Sequence, residues 1–203
     1  MPGCASRPQI SQMCRVCQRQ TGLSLVTLSR VPEHLEAGLP TESDARERVM
    51  EAAYELFSHR GVRDVGIDEV IERAGVAKAT LYRHFPSKDD LVLAFLERRE
   101  ERWTLGWVEA EARRRGSTPD EQLLAIFDLF DEWFHRDDFE ACSFINVLLE
   151  MGADHPTGEA SVRYLENIRT IVRRLAEEAD LSETESFAHS WHILMKGSIV
   201  AAA

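Results

Sequence analysis

The sequence predicts an all-α chain in which a compact N-terminal three-helix unit is followed by a C-terminal helical bundle. Three observations carry this. From residue 41 onward apolar residues recur at spacings of three and four, with no sustained period-2 alternation. Glycines, prolines and capping residues cut that pattern into segments of helical length. A chain of 203 residues, 44% of them hydrophobic, is long enough to bury a core without disulfide support.

The first helix presents Ala45, Val49, Ala52, Ala53, Leu56 and Phe57 on one face, with Ser43 as its expected cap, and stops at Gly61 behind His59 and Arg60. Ile67, Val70, Ile71 and Ala74 mark a short second helix ending at Gly75, and a third piece near 77–84 closes at Phe85-Pro86. Ser87 opens a long helix with Asp90 as its capping-box partner. Thr118-Pro119-Asp120-Glu121 joins an N-cap Thr, a Pro at the first helical position and a Glu at the third, ahead of Leu123 to Phe134. A segment from Cys142 to Met151 breaks at 152–156, and another helix follows over 159–179. Ser182 and Glu185 are expected to box the start of a last helix, in which Lys196 is the only charge from Phe187 to Ala203. Residues 1–40 hold four of the seven prolines and no amphipathic period. A disordered extension is expected there, with an over-extended reading frame as the alternative. The expected organisation is therefore 1–40 extension, 41–88 three-helix unit, 89–203 helical domain.

The net charge of −11 argues, as a sum, against bulk affinity for nucleic acid. No apolar run approaches the ~18 residues of a membrane span, and the first residues lack a signal-peptide core, so a cytoplasmic protein without a membrane partner is expected. Four cysteines without an export signal fit a reducing compartment. Glycine-rich phosphate loops, nucleophile elbows and paired His-Glu metal motifs are missing, so neither an enzyme nor a cofactor is expected. Cys14-x-x-Cys17 with Cys4 and His34 has the pair spacing of a zinc site, but its outer ligands are irregular and no metal site is assigned.

Split along the chain, the charge tells a different story. Residues 1–40 sum to +2, 41–91 to −3 and 92–203 to −10. Between Ala74 and Lys88 the ionisable groups include Lys78, Arg83, His84 and Lys88 and no acid. Phosphate contacts depend on local charge within a screening length of ~10 Å, so the total conceals a basic surface. Three short helices with a tight Gly75-Val76 turn form a helix-turn-helix pattern, whose second helix enters the major groove. Small Ala77 and Ala79 allow close approach to base edges. Lys78 has the reach for guanine O6 and N7, while Thr80, Tyr82 and Lys88 carry donors for phosphate oxygens.

The strings "ARERVMEAAYELFSHRGV" and "IDEVIERAGVAKATLYRHFPSKDDLV" resemble the tetracycline-repressor (TetR) family of bacterial transcription regulators. The likeness covers about 50 residues, with helix count and the fragment "CSFINVLLEMGADHP" similar beyond it. The resemblance implies an all-helical homodimer on a pseudo-palindromic operator, repressing until a small ligand releases it. It also implies that Arg46 contacts the DNA backbone, that Lys78 and Ala79 face bases, that Thr80, Tyr82, His84 and Lys88 face phosphates, and that Leu81 and Phe85 are core. Gly66 departs from the family, where Thr or Ser caps the second helix and touches a phosphate. The family also continues into one more helix after the position where this chain ends.

The C-terminal part concentrates bulky side chains. Trp103, Trp107, Phe127, Phe130, Phe144, Met151, Trp191 and Met195 are the candidate lining of an apolar pocket for a small apolar or aromatic molecule. The nearly uncharged last helix is expected at a two-fold dimer interface. Cys142, among apolar neighbours, reads as a small buried hydrophobe. A rival reading, favoured by Gly66 and the acidic balance of 41–73, is a helical small-molecule-binding protein with weakened or lost DNA binding.

Overall fold

The structure, a computed structural model, describes residues 42–203, which are helical and contain no strand. The helices are α1 (Glu42–Arg60), α2 (Ile67–Ala74), α3 (Lys78–His84), α4 (Lys88–Arg99), α5 (Ala110–Arg115), α6 (Pro119–Phe134), α7 (Ser143–Met151), α8 (Pro156–Glu178) and α9 (Thr184–Ala202). Between α4 and α5 the chain stays helical but widens into a π-helix over Glu100–Glu109.

Local chemistry sets most boundaries. Gly61 and Gly75 end α1 and α2 at positive φ (79° and 62°), where a side chain would be strained. Ser87 caps α4: its Oγ accepts from Asp90 N at 3.1 Å, and Asp90 Oδ2 accepts from Ser87 N at 2.9 Å. Glu121 reaches back to Thr118 N at the head of α6. Three starts differ from expectation. Ser43 lies inside α1, which begins at Glu42. Pro156 opens α8 rather than ending the break before it, because its fixed φ suits the first helical position and His155 caps the turn. The Ser182 box does not form: Asp180 and Glu183 both take φ of 55°, and Glu183 occupies the cap position without a side-chain hydrogen bond.

A continuous core joins the elements. Val49, Ala53 and Phe57 of α1 pack with Val70 and Ala74 of α2, Leu81 of α3, Phe85, and Leu91 and Phe95 of α4. The same core continues through Val108, Ile126, Leu129 and Phe130 into Ile168, Val172 and Leu175 of α8 and Trp191, Met195 and Ile199 of α9. Cys142 is buried in it. Burying α4 on both sides makes it the beam between the three-helix unit and the bundle. No helix among the described residues is long and apolar enough to cross a membrane.

Candidate nucleic-acid interface and junction cavity

α2 and α3 meet at the Gly75 turn, where Gly75 N donates to Glu72 O and Val76 N to Ile71 O. Leu81 and Phe85 are buried against α1, so the opposite face of α3 is presented outward. On that face Ala77, Lys78, Ala79, Tyr82 and Arg83 are exposed, and Thr80 is half-buried. Lys78 Nζ donates to Asp68 Oδ1 at 3.0 Å, a hydrogen bond that raises the lysine pKa. Both partners are exposed, so the pair is weak and a DNA acceptor can replace it. Arg46 is exposed, with its guanidinium 5.1 Å above the Phe85 ring. His84 and Lys88 are half-buried, and His84 Nε2 is sealed without a hydrogen-bond partner. Gly66 takes φ −79°, ψ 151° at the head of α2, which therefore has no side-chain cap.

Ionic contacts fasten this unit to the rest, and sequence inspection had no signal for them because they span 40 to 90 residues. Arg98 donates to both oxygens of Glu47, at 2.6 and 2.8 Å. Arg99, only 6% exposed, donates from Nη1 to Tyr54 Oη at 3.1 Å and to Glu140 Oε2 at 3.0 Å. Glu140 Oε1 lies 3.3 Å from His59 Nε2. Glu150 of α7 accepts from the backbone N–H groups of Val62 and Arg63 at 2.8 and 2.9 Å. His155 Nε2 lies 3.4 Å from Asp89 Oδ2.

The eight aromatic and Met candidates do not converge on one cavity. Trp103 and Trp107, on the π-helical stretch, line a space of about 190 Å³ with Tyr54, Arg99, Trp133, Arg136, Asp138 and Glu140. Phe130 lies buried beside it, edge-on to Trp103 at 5.4 Å. Phe144, Trp191 and Met195 are core, Met151 is half-buried, and Phe127 is exposed on α6 with its ring 6.4 Å from Trp191. Helix packing places Phe130, Phe144, Trp191 and Met195 in the buried core. Tyr54 and Arg99 were missed because the cavity sits at the junction of α1, the π-helix and α6. In the adjacent core Glu100 is buried, which raises its pKa against the opposing effect of Thr104 and Asn167. A second, wider groove of about 450 Å³ runs between α8 and α9, lined by Glu166, Arg169, His189, His192, Ile193 and Lys196. His192 there is pushed down to about 4, by burial first and then by Lys196, Arg169 and His189. No cluster of three or more metal-ligating side chains occurs among the described residues, and the Cys4, Cys14, Cys17 and His34 set lies outside them.

Residues 49–95 match the sequence model of the bacterial regulatory proteins, tetR family. The structure superposes on the TetR-family regulator SCO4454 of Streptomyces coelicolor with a TM-score of 0.73 and 30% identity, over 79% of this chain and 84% of that one. The chain belongs to the TetR family. A TetR-family regulator from Streptomyces avermitilis gives a TM-score of 0.69 at 27% identity, covering 78% and 85% of the two chains. Among curated relatives, the HTH-type transcriptional activator FasR of Mycolicibacterium smegmatis is 35% identical over 46% of this chain and 42% of its own. The repressor KstR of the same organism is 36% identical over 43% and 42%. The matches thus span less than half the length of these two relatives. The chain's family is one of bacterial regulatory proteins, and the solved relatives that show it are transcriptional regulators.

Proposed function

We propose that this regulator is a cytoplasmic homodimeric repressor that binds a pseudo-palindromic operator and is released from it by a small ligand. The observation that carries the reading is the outward face of α3, where small residues flank Lys78 and Tyr82 at the tip of a rigidly packed unit. Small side chains let the helix sink into the major groove, Lys78 reads a guanine edge, and Thr80, Tyr82, Arg83, Lys88 and Arg46 supply phosphate contacts, with His84 restricted to Nδ1 because its Nε2 is buried. Two such helices read two half-sites when a dimer holds them ~34–36 Å apart. The face of α9 that carries Ile193, Leu194 and Val200, more than 60% exposed each, supports that dimer. Release follows from linkage: a ligand that prefers another spacing weakens DNA binding by the same coupling free energy with which DNA weakens ligand binding. The uncapped start of α2 at Gly66 favours a second reading, a ligand-binding protein with weakened DNA binding.

Selection of duplexes from a random pool, followed by anisotropy titration over a salt series, separates the two. The regulator reading expects a palindromic consensus with steeply salt-dependent affinity. Lys78→Ala should cost ~1–3 kcal/mol and relax preference at one base position per half-site, whereas Tyr82→Phe should weaken all sequences alike. Recovery of no consensus favours the second reading.

A further inference from the structure

We propose that the cavity at the junction of α1, the π-helix and α6 binds a small aromatic carboxylate held by Arg99. The proposal deepens, and rests on, the ligand-responsive reading above. Size comes first. An apolar cavity of ~150 Å³ accommodates benzene, so the 190 Å³ here suits a single substituted ring. Trp103, Trp107, Trp133 and Tyr54 supply aromatic walls, with Trp103 and Trp133 edge-to-face at 5.2 Å and Trp103 and Trp107 tilted at 5.9 Å. Rings favour another ring placed edge-on or offset among them.

The polar inventory of the cavity decides the charge. Both lining carboxylates are already engaged on each oxygen. Glu140 has His59 on Oε1 and Arg99 on Oε2. Asp138 has Arg136 Nε on Oδ1 at 2.7 Å and Arg136 Nη2 on Oδ2 at 2.6 Å. Donors, in contrast, are left over. Arg99 spends only Nη1, on Tyr54 and Glu140, and its Nε and Nη2 have no acceptor among the described residues. Arg136 Nη1 has none either. A guanidinium carries five N–H donors in a planar fork that matches a carboxylate. The cavity therefore lacks acceptors, and its ligand brings them. A cationic ligand would meet two arginines and no free carboxylate oxygen. Because Arg99 lies on α4 and its partner Tyr54 on α1, a ligand carboxylate on Arg99 acts on the joint between the bundle and the DNA-binding unit.

Calorimetric titration of the full chain with benzoate, cyclohexanecarboxylate and benzylammonium tests this, with quenching of tryptophan fluorescence as a second readout. Benzoate is expected to saturate below about 10 mM, with both other probes at least about tenfold weaker. Arg99→Lys, with folding checked by circular dichroism, should weaken benzoate by at least about tenfold. Trp107→Ala, at a half-exposed wall, should do likewise and carries the test if the Arg99 variant misfolds. Absence of saturable benzoate binding, equal or tighter binding of benzylammonium, equal binding of cyclohexanecarboxylate, or indifference of benzoate to the folded variants overturns the proposal. The selected duplex distinguishes the two levels. Benzoate that binds in this pattern without changing DNA affinity leaves the site standing and removes ligand-controlled release. A chain released from DNA by other small molecules, but blind to benzoate, removes the site and leaves the regulation.

Discussion

At the residue scale, Gly66 is the departure from the family that the structure makes testable. Its backbone is extended, a conformation any residue adopts, and a Cβ there would meet nothing within 4 Å. Serine at this position would accept from a backbone N–H in the first turn of α2, and the change also restricts the unfolded chain. Gly66→Ser is therefore expected to stabilise by roughly 0.5–1 kcal/mol. It should also tighten DNA binding, because a Thr or Ser hydroxyl at this position is what touches a phosphate in the family. Urea unfolding and anisotropy measure the two effects, and loss of either stability or affinity contradicts the assignment. Residues whose role depends on local sequence were legible: Leu81 and Phe85 are core, and Ser87 with Asp90 forms the box that its spacing announces. Lys78 illustrates the other case. Its exposure follows from the helix pattern, but its pairing with Asp68 across the turn is a fact of packing that no spacing encodes.

At the element scale, the helix that begins at Ser87 was legible as one long run, and its π-helical middle was not. Trp103 and Trp107 are four apart, a spacing that suits a regular and a wider turn alike, so the apolar pattern cannot choose between them. Gly106 records the difference. A Cβ there would come 2.8 Å from the carbonyl oxygen of Glu101, a backbone atom that cannot step aside. In a regular helix Gly→Ala gains ~1 kcal/mol. Here Gly106→Ala is expected to lose about that much and to alter the near-ultraviolet dichroism of the Trp103–Trp107 pair, because the carbonyl must move. A stabilised variant with an unchanged spectrum would refute this. The hold of α7 on the DNA-binding unit is a second property of elements rather than residues. Glu150 collects the N–H groups of Val62 and Arg63, and Gly61 makes room, since a Cβ there would overlap the Glu150 carboxylate. Removing the acceptor leaves the Val62 amide in a buried residue unpaired. Glu150→Ala should cost ~2 kcal/mol, which for a fold of this size is roughly 4–8 °C in Tm. Ligand control of DNA affinity should also weaken if this contact transmits it.

At the scale of the whole molecule, the acid excess falls in 92–203, away from the basic stretch of α3, while α9 within that region carries few charges. The dimer expected there carries its own pH test through His192. Groups from both helices face it: His189 and Lys196 on α9, Arg169 and Glu166 on α8. Burial and the neighbouring cations hold it near 4, against 6.5 when unfolded. Between those values the unfolded chain takes up a proton that the folded chain refuses, so stability falls as pH drops from about 6.5 to about 4. Above that window both states are neutral at this site, and below it both are charged, so the slope from this group is confined to it. If α8 and α9 meet their copies across a two-fold axis, pairing buries His192 further, and dimer affinity falls only as pH drops through about 4, where the folded monomer takes up the proton. Light scattering at pH 7.5 and at about 3.5 should then show dissociation at the lower pH. His192→Gln, which cannot charge, should remain dimeric at both and show a flatter dependence of Tm on pH. A wild-type dimer indifferent to pH, with Tm equally indifferent, would place the interface on another face and leave His192 as an ordinary solvated ring.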